Sequence, residues 1–131
     1  MRLILALLAL LAFVHPARAQ NVSCGNSVIY NANTNGATQL VAAVANARIY
    51  ICGYTFWANG AVNVSLITGT GTNCGTGSVT IVPAYAFSAA SQGITDGGAA
   101  ARGLSGAVSQ ALCINTSAGI AVQAIIYFSQ Y

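Results

Sequence analysis

Charge is what this sequence has least of. Asp, Glu, Lys and Arg make up 4% of its 131 residues, whereas an ordinary soluble domain carries about 25%. From Gln20 onward the charged side chains are Arg48, Asp96 and Arg102, and that stretch contains no lysine, glutamate or histidine. Phosphate binding depends on several clustered lysines or arginines. We therefore expect no nucleic-acid partner.

The same shortage removes the side chains that most enzymatic mechanisms use. A single carboxylate cannot supply the acid pair of glycoside hydrolysis. Without histidine, neither a Ser-His-Asp triad nor a cysteine–histidine pair can form, and without lysine there is no Schiff base. The residue supply predicts a protein that is not an enzyme, with no catalytic residues and no cofactor.

Nucleotide and metal motifs are also missing. The glycine-rich stretch from Gly69 to Gly77 departs from G-x-G-x-x-G, because Cys74 stands where the third glycine belongs and no P-loop lysine follows. The four cysteines lack paired C-x-x-C spacing, so we expect no structural metal site. A flexible or bulged loop is the prediction for this stretch.

What the sequence does have is apolar residues, which make up 56% of it and exclude intrinsic disorder. Arg2 precedes an unbroken apolar run from Leu3 to Val14, and Ala17-Arg18-Ala19 follows it with small residues. This pattern is typical of a cleaved signal peptide, and the run is shorter than the roughly 20 residues of a membrane span. We expect residues 1–19 to be removed, leaving a secreted protein, extracellular or periplasmic, with no membrane span.

Four cysteines follow the signal segment, at Cys24, Cys52, Cys74 and Cys113. An even number in an exported chain predicts two disulfides, and four cysteines allow three connectivities. Cys52 and Cys113 lie in apolar runs, whereas Cys24 and Cys74 lie in polar surroundings. Pairing like with like predicts Cys52–Cys113 and Cys24–Cys74.

Apolar residues recur with a period of two, which indicates strands. Examples are Val62, Val64 and Leu66, and the alternation over residues 120–128. We predict a single antiparallel β-sandwich or jelly-roll-like domain over residues 20–131, and an Ala-rich helix over residues 37–47 is the one helical alternative. The predicted strands are Val28–Asn31, Thr38–Val44, Arg48–Ala58, Ala61–Thr68, Val79–Val82, Ala84–Ser88, Ala100–Leu104, Gln110–Asn115 and Ile120–Gln130.

Asn59-Gly60 predicts a type I′ hairpin between the strands at 48–58 and 61–68. The first of these strands carries Tyr50, Tyr54, Phe56 and Trp57, and strand parity places Trp57 on the opposite face from the other three. One interpretation is core or interface packing, and the other is an exposed platform for sugar rings. Tyr54 and Trp57 are the candidate ligand or interface residues.

Asp96 is the one acid in the chain. Because it precedes Gly97, we predict a turn there. Two alternatives remain open, an ion pair with Arg102 and a calcium ligand.

Three cysteine motifs in order resemble a known group of proteins. They are Ile49–Tyr54, Gly69–Gly77 and Ala111–Ile114, followed by a closing β segment at residues 127–131. Together they resemble a loosely defined family of small signal-peptide-bearing proteins with four cysteines, encoded in phage, prophage and proteobacterial genomes. The resemblance implies an extracellular or virion-surface β protein rather than an enzyme, and it supplies no catalytic residues.

Strand edges without lysine or glutamate are poorly protected against pairing with other chains, and Ile125–Phe128 is an uncharged, β-prone stretch. We therefore predict a non-enzymatic, secreted surface or structural protein that acts in assembly or adhesion. The alternative is a carbohydrate-binding module that uses exposed aromatic residues of the 48–68 hairpin. The candidate partners are further copies of the chain, in an oligomer or filament, and a surface glycan.

Overall fold

The computed structural model describes residues 23–97 and 104–131. The predicted signal peptide, residues 1–19, lies outside the described residues. Within them the chain forms nine strands and one 3₁₀ turn at Thr72–Cys74. The strands are β1 (Asn26–Ala32), β2 (Gly36–Val41), β3 (Ile49–Ala58), β4 (Val62–Thr70), β5 (Thr76–Phe87), β6 (Gln92–Gly97), β7 (Leu104–Ser105), β8 (Ala111–Thr116) and β9 (Val122–Gln130).

The strands form two antiparallel sheets that pack face to face. Sheet A has the order β1-β9-β3-β6, and β7 also pairs with β3. Sheet B has the order β2-β8-β4-β5. The prediction of an all-β sandwich is confirmed, and the helical alternative for residues 37–47 is wrong, because β2 covers Gly36–Val41.

Strand pairing is nested along the chain. The first strand pairs with the last, β2 pairs with β8, β3 pairs with β6 and β7, and β4 pairs with β5. The described chain therefore runs like one long hairpin folded over on itself. It changes sheet at every described connection except β4–β5.

The core lies between the sheets and is made by alternating side chains. On β9, even-numbered residues from Val122 to Phe128 are buried, and odd-numbered residues from Gln123 to Tyr127 are exposed. This alternation was predicted and is confirmed. The largest fully buried side chains are Phe56, Ile49, Ile51, Leu66, Leu112, Ile114 and Ile126.

A β-bulge at Cys52 reverses the facing of side chains along β3. Ile51 lies opposite Phe128, but Gly53 lies opposite Tyr127, so Cys52 is the extra residue. The odd-numbered residues Ile49 and Ile51 are buried before the bulge, and Tyr54 and Phe56 are buried after it. The prediction that Tyr50 shares a face with Tyr54 and Phe56 is therefore wrong.

The predicted Asn59-Gly60 hairpin is also wrong. Strand β3 belongs to sheet A and β4 to sheet B, so the two do not pair. Neither Asn59 nor Gly60 has the positive φ that a type I′ turn requires, and the Asn59 N–H donates to the carbonyl of Ala121 at 3.0 Å. Burial of apolar side chains between the sheets outweighs the local turn preference.

Two further predictions, a strand break at Pro83 and a turn at Asp96, differ from the structure. Strand β5 continues through Pro83, where we predicted a break, because an edge strand tolerates a residue that cannot donate to the ladder. The predicted turn at Asp96 is wrong, since Asp96 lies in β6 opposite Tyr54. Arg102, and most of the predicted strand at residues 100–104, lie outside the described residues.

The disulfides join Cys24 to Cys52 and Cys74 to Cys113. The like-with-like pairing is therefore wrong. Each disulfide instead joins a cysteine in a polar segment, Cys24 or Cys74, to a cysteine in a strand. This occurs because the polar segment folds back over the outer face of a sheet. Two disulfides indicate an oxidising compartment. No helix in the described part of the chain is long and apolar enough to cross a membrane.

Candidate functional site

The outer face of sheet A, which we call the open face, consists of the side chains that point away from sheet B. Strand register arranges them in three rows across β1, β9, β3 and β6. The rows are Asn31, Gln123, Trp57 and Gly93; Ile29, Ile125, Thr55 and Thr95; and Ser27, Tyr127, Gly53 and Gly97.

Large apolar side chains on the open face are exposed to solvent. The exposed fractions are 73% for Ile29, 48% for Tyr127, 47% for Trp57 and 36% for Ile125. The three rows contain no charged residue. A contiguous apolar surface with uncharged polar neighbours is typical of an interaction site.

Trp57 stands at one end of the open face, with its ring against the backbone of β6. A Cβ atom at Gly93 would lie 2.6 Å from Cε3 of this ring. The missing side chain at position 93 therefore lets the indole lie directly over the neighbouring strand. This contact restricts the ring while leaving nearly half of the side chain exposed.

A cavity of about 330 Å³ lies at the other end of the open face. Gly53 and Gly97 face each other across β3 and β6, and a Cβ atom at Gly53 would lie 2.9 Å from the Cα of Gly97. Two side chains are thus missing from adjacent positions on the surface. The cavity is lined by Cys24, Cys52, Gly53, Tyr54, Thr55, Thr95, Asp96, Gly97 and Tyr127.

Hydroxyl groups lie between Trp57 and the Gly53/Gly97 end of the cavity. Oγ1 of Thr55 and Oγ1 of Thr95 are 3.1 Å apart, joining β3 to β6 on the open face. Each hydroxyl can both donate and accept, so the pair keeps capacity for a ligand. Trp57, Thr55, Thr95, Tyr127 and the Gly53/Gly97 floor form what we call the trough.

Tyr54 lies between the sheets and is only 4% exposed. Its ring stacks on Phe56 with the centroids 4.8 Å apart, and its hydroxyl lies 2.9 Å from that of Tyr85. Burial, reinforced by hydrogen bonds to Tyr85 and Asp96, raises the pKa of Tyr54 well above its ordinary value. Of the two candidate residues, Trp57 is therefore exposed and Tyr54 belongs to the core.

Asp96 is half-buried, and its carboxylate reaches the hydroxyl of Tyr54. Its Oδ2 accepts a hydrogen bond from the Tyr54 hydroxyl at 3.1 Å. Asp96 thus takes part in a polar contact inside the sandwich rather than in a turn. Among the described residues, no three side chains of the types His, Cys, Asp and Glu are grouped as a metal site.

The outer face of sheet B, which we call the covered face, is closed by the 3₁₀ turn. Cys74 packs on Ile67, Ala111 and Cys113 in a small buried cluster. The side-chain oxygen of Asn73 accepts a hydrogen bond from the Gln39 N–H at 3.1 Å. This turn covers Ile67 and Ala111 on the outer face of sheet B.

The sheet edges differ in protection against pairing with another chain. Strand β2 has one register irregularity and β5 has three as well as Pro83, while β6 carries the inward-turned Asp96. Bulges, proline and inward charges are the devices that protect edges. Strand β1 pairs with β9 without a register shift and contains no proline or charge.

Sequence reasoning identified Trp57 but missed the glycines, threonines and Tyr127 of the trough. These residues come from three strands that are distant in the sequence, so no local motif marks them. The alternation of Gly93, Thr95 and Gly97 could have indicated a strand face with missing side chains. The Asp96-Gly97 pair predicted a turn there instead. Comparison with protein-family models, curated proteins and solved structures found no match to this chain.

Proposed function

We propose that this protein is a secreted, non-enzymatic surface component that assembles with further copies of itself through strand β1. The signal-peptide pattern of residues 1–19 and the two disulfides support export to an oxidising compartment. The scarcity of titratable side chains supports a role in binding rather than in catalysis. The unprotected β1 edge is the observation that carries the proposal.

The fold that presents this edge is, in our proposal, a jelly roll. Each sheet has four strand positions when β6 and β7, which both pair with β3, are counted as one interrupted strand. The nested pairing of first with last strand supports the same topology, since a jelly roll is two sheets wound from one folded-over hairpin.

A second copy of the chain fits the β1 edge because the outward pattern of the strand is symmetrical. Ser27, Ile29 and Asn31 point outward in the order polar, apolar, polar. In an antiparallel pair centred on Ile29, this residue meets its own copy, and Ser27 meets Asn31. No charge opposes the contact, and the two-fold arrangement closes as a dimer.

Light scattering coupled to size-exclusion chromatography, over a concentration series of the exported and oxidised protein, tests this proposal. We expect a dimer that Ile29→Lys converts to a monomer, because lysine on an edge opposes pairing. Val79→Lys is the matched control, since Val79 is 55% exposed on β5, and it should leave the dimer intact. A wild-type monomer at every concentration, or a dimer that survives Ile29→Lys, would contradict the proposal.

A further inference from the structure

We propose that the trough on the open face binds an uncharged oligosaccharide. This goes beyond self-assembly and does not depend on it, because the trough lies on β3, β6 and β9, whereas assembly uses the β1 edge. The trough of each copy would stay accessible in a β1-paired dimer.

Aromatic rings stand at both ends of the trough. Trp57 lies at one end, and Tyr127, which is opposite Gly53, lies at the other. The two rows are four positions apart along β3, a distance of roughly 13 Å at the usual rise of a strand. The site therefore suits an elongated ligand that offers a flat apolar surface at more than one point.

Sugar rings have this chemistry, since a pyranose presents C–H groups on its faces and hydroxyl groups around its rim. The exposed faces of Trp57 and Tyr127 can cover the C–H groups. The hydroxyls of Thr55 and Thr95 lie between the two rings and can exchange hydrogen bonds with the rim. A mainly apolar site with a few placed polar groups is the usual form of a ligand pocket.

Charge around the trough favours a neutral ligand. Among residues 23–97 and 104–131, the open face has no cationic side chain to hold a carboxylate, sulfate or phosphate. The one acid at the trough, Asp96, lines the cavity, and its Oδ2 accepts a hydrogen bond from the Tyr54 hydroxyl. A quaternary ammonium ligand needs several aromatic faces around one point, and here the two rings are far apart.

The trough is also held in place before any ligand arrives. The ring of Trp57 lies over Gly93, the two threonine hydroxyls contact each other, and the Cys24–Cys52 disulfide borders the cavity. A site whose groups are already ordered loses less conformational entropy on binding. This arrangement supports a binding role for Trp57 over a role in packing alone.

The chain has a single tryptophan, so intrinsic fluorescence reports directly on the trough. The exported, oxidised protein is titrated with cellohexaose, xylohexaose, mannohexaose and chitohexaose, and separately with polygalacturonate as a charged polymer. We expect at least one neutral hexaose to change the Trp57 emission saturably. No change with any neutral hexaose up to the millimolar range, or a response to polygalacturonate alone, would overturn the proposal.

Variants are compared by isothermal titration calorimetry with the hexaose that binds. Trp57→Ala should weaken binding about tenfold or more through loss of the stacking surface, and Thr95→Val about threefold to tenfold through loss of a hydroxyl. Val79→Ala is the control on sheet B and should bind as wild type does. Unchanged affinity in Trp57→Ala would overturn the proposal. Ile29→Lys should bind the sugar normally, so a failure of self-assembly is distinguishable from a failure of the trough.

Discussion

The covered face and the open face have similar residues, but the apolar side chains are buried on the covered face and exposed on the open face. Each has one disulfide and an apolar surface. On the covered face, Cys74 brings the 3₁₀ turn down onto Ile67 and Ala111. On the open face, Cys24 brings down only the segment next to Ser129, and Ile29, Trp57 and Tyr127 remain exposed.

The difference follows from where the polar partner of each disulfide lies in the chain. Cys74 belongs to the connection between β4 and β5, which are neighbours in sheet B. The Cys74–Cys113 disulfide therefore holds the whole β4–β5 loop against the sheet. Cys24 lies two residues before β1 at the edge of sheet A, so its bridge crosses one end of β9. A disulfide on an outer face thus buries that face only when a loop comes with it.

Removal of each disulfide is the strongest test of this comparison. The loop-closure entropies are similar, because the sequence separations are 39 and 28 residues, and each bridge should contribute roughly 4 kcal/mol to the free energy of unfolding. Cys74→Ala/Cys113→Ala should cost a further 1–2 kcal/mol or so, because it also opens the buried cluster around Ile67. Urea unfolding of both double variants measures the difference, and equal losses would argue against a packing role for the turn.

Two glycine substitutions on the open face test different contacts, one with the backbone of a neighbouring strand and one with a side chain. In Gly53→Ala the new Cβ meets the backbone of Gly97, so the strands must move apart and the loss should be about 1–3 kcal/mol. In Gly93→Ala the Cβ meets the Trp57 ring, which can swing into solvent, so the loss should stay below about 1 kcal/mol. The emission of Trp57 should shift to longer wavelength in Gly93→Ala alone.

Urea unfolding and fluorescence spectra measure these two effects. Gly25→Ala is the matched control, since a Cβ there meets no atom within 4 Å. An unchanged emission spectrum in Gly93→Ala would contradict the contact between Trp57 and β6.

Tyr54→Phe tests the polar contact between the sheets, which both faces share. The unfolded chain releases the Tyr54 proton at the ordinary value of 10.0, whereas the folded state keeps it because its pKa is raised. The contribution of Tyr54 to the free energy of unfolding is therefore fully present below pH 10. It is lost above that pH, by about 1.4 kcal/mol per pH unit for this one proton. Tyr54→Phe should lower stability by about 1 kcal/mol near neutral pH and reduce the alkaline slope. Urea unfolding from pH 8 to 11 measures both, and an unchanged slope would count against the raised pKa.

Much of the fold could be predicted from local patterns. The alternation along β9, the absence of helices in the described residues and the number of disulfides all follow from residue types at short spacing. These features hold because facing in a strand has a period of two and because cysteines form disulfides in an oxidising compartment. They depend little on which strands become neighbours.

The trough could not be predicted in the same way. One extra residue at Cys52 reversed the facing of Tyr50 relative to Tyr54, and a single bulge leaves no clear mark in the sequence. Asn59-Gly60 and Asp96-Gly97 both carry strong turn preferences. In the structure neither forms the predicted turn, because each pair of residues contacts a strand or segment that is distant in the chain.

The sequence by itself determined the composition of this protein's surface and the all-β character of its sandwich, because strand facing and charge content are local properties. Only the tertiary structure decided the disulfide pairing, the strand neighbours and the difference between the covered face and the open face. Those depend on which distant segments bury apolar area against one another, a long-range balance of free energies that no short stretch of residues encodes.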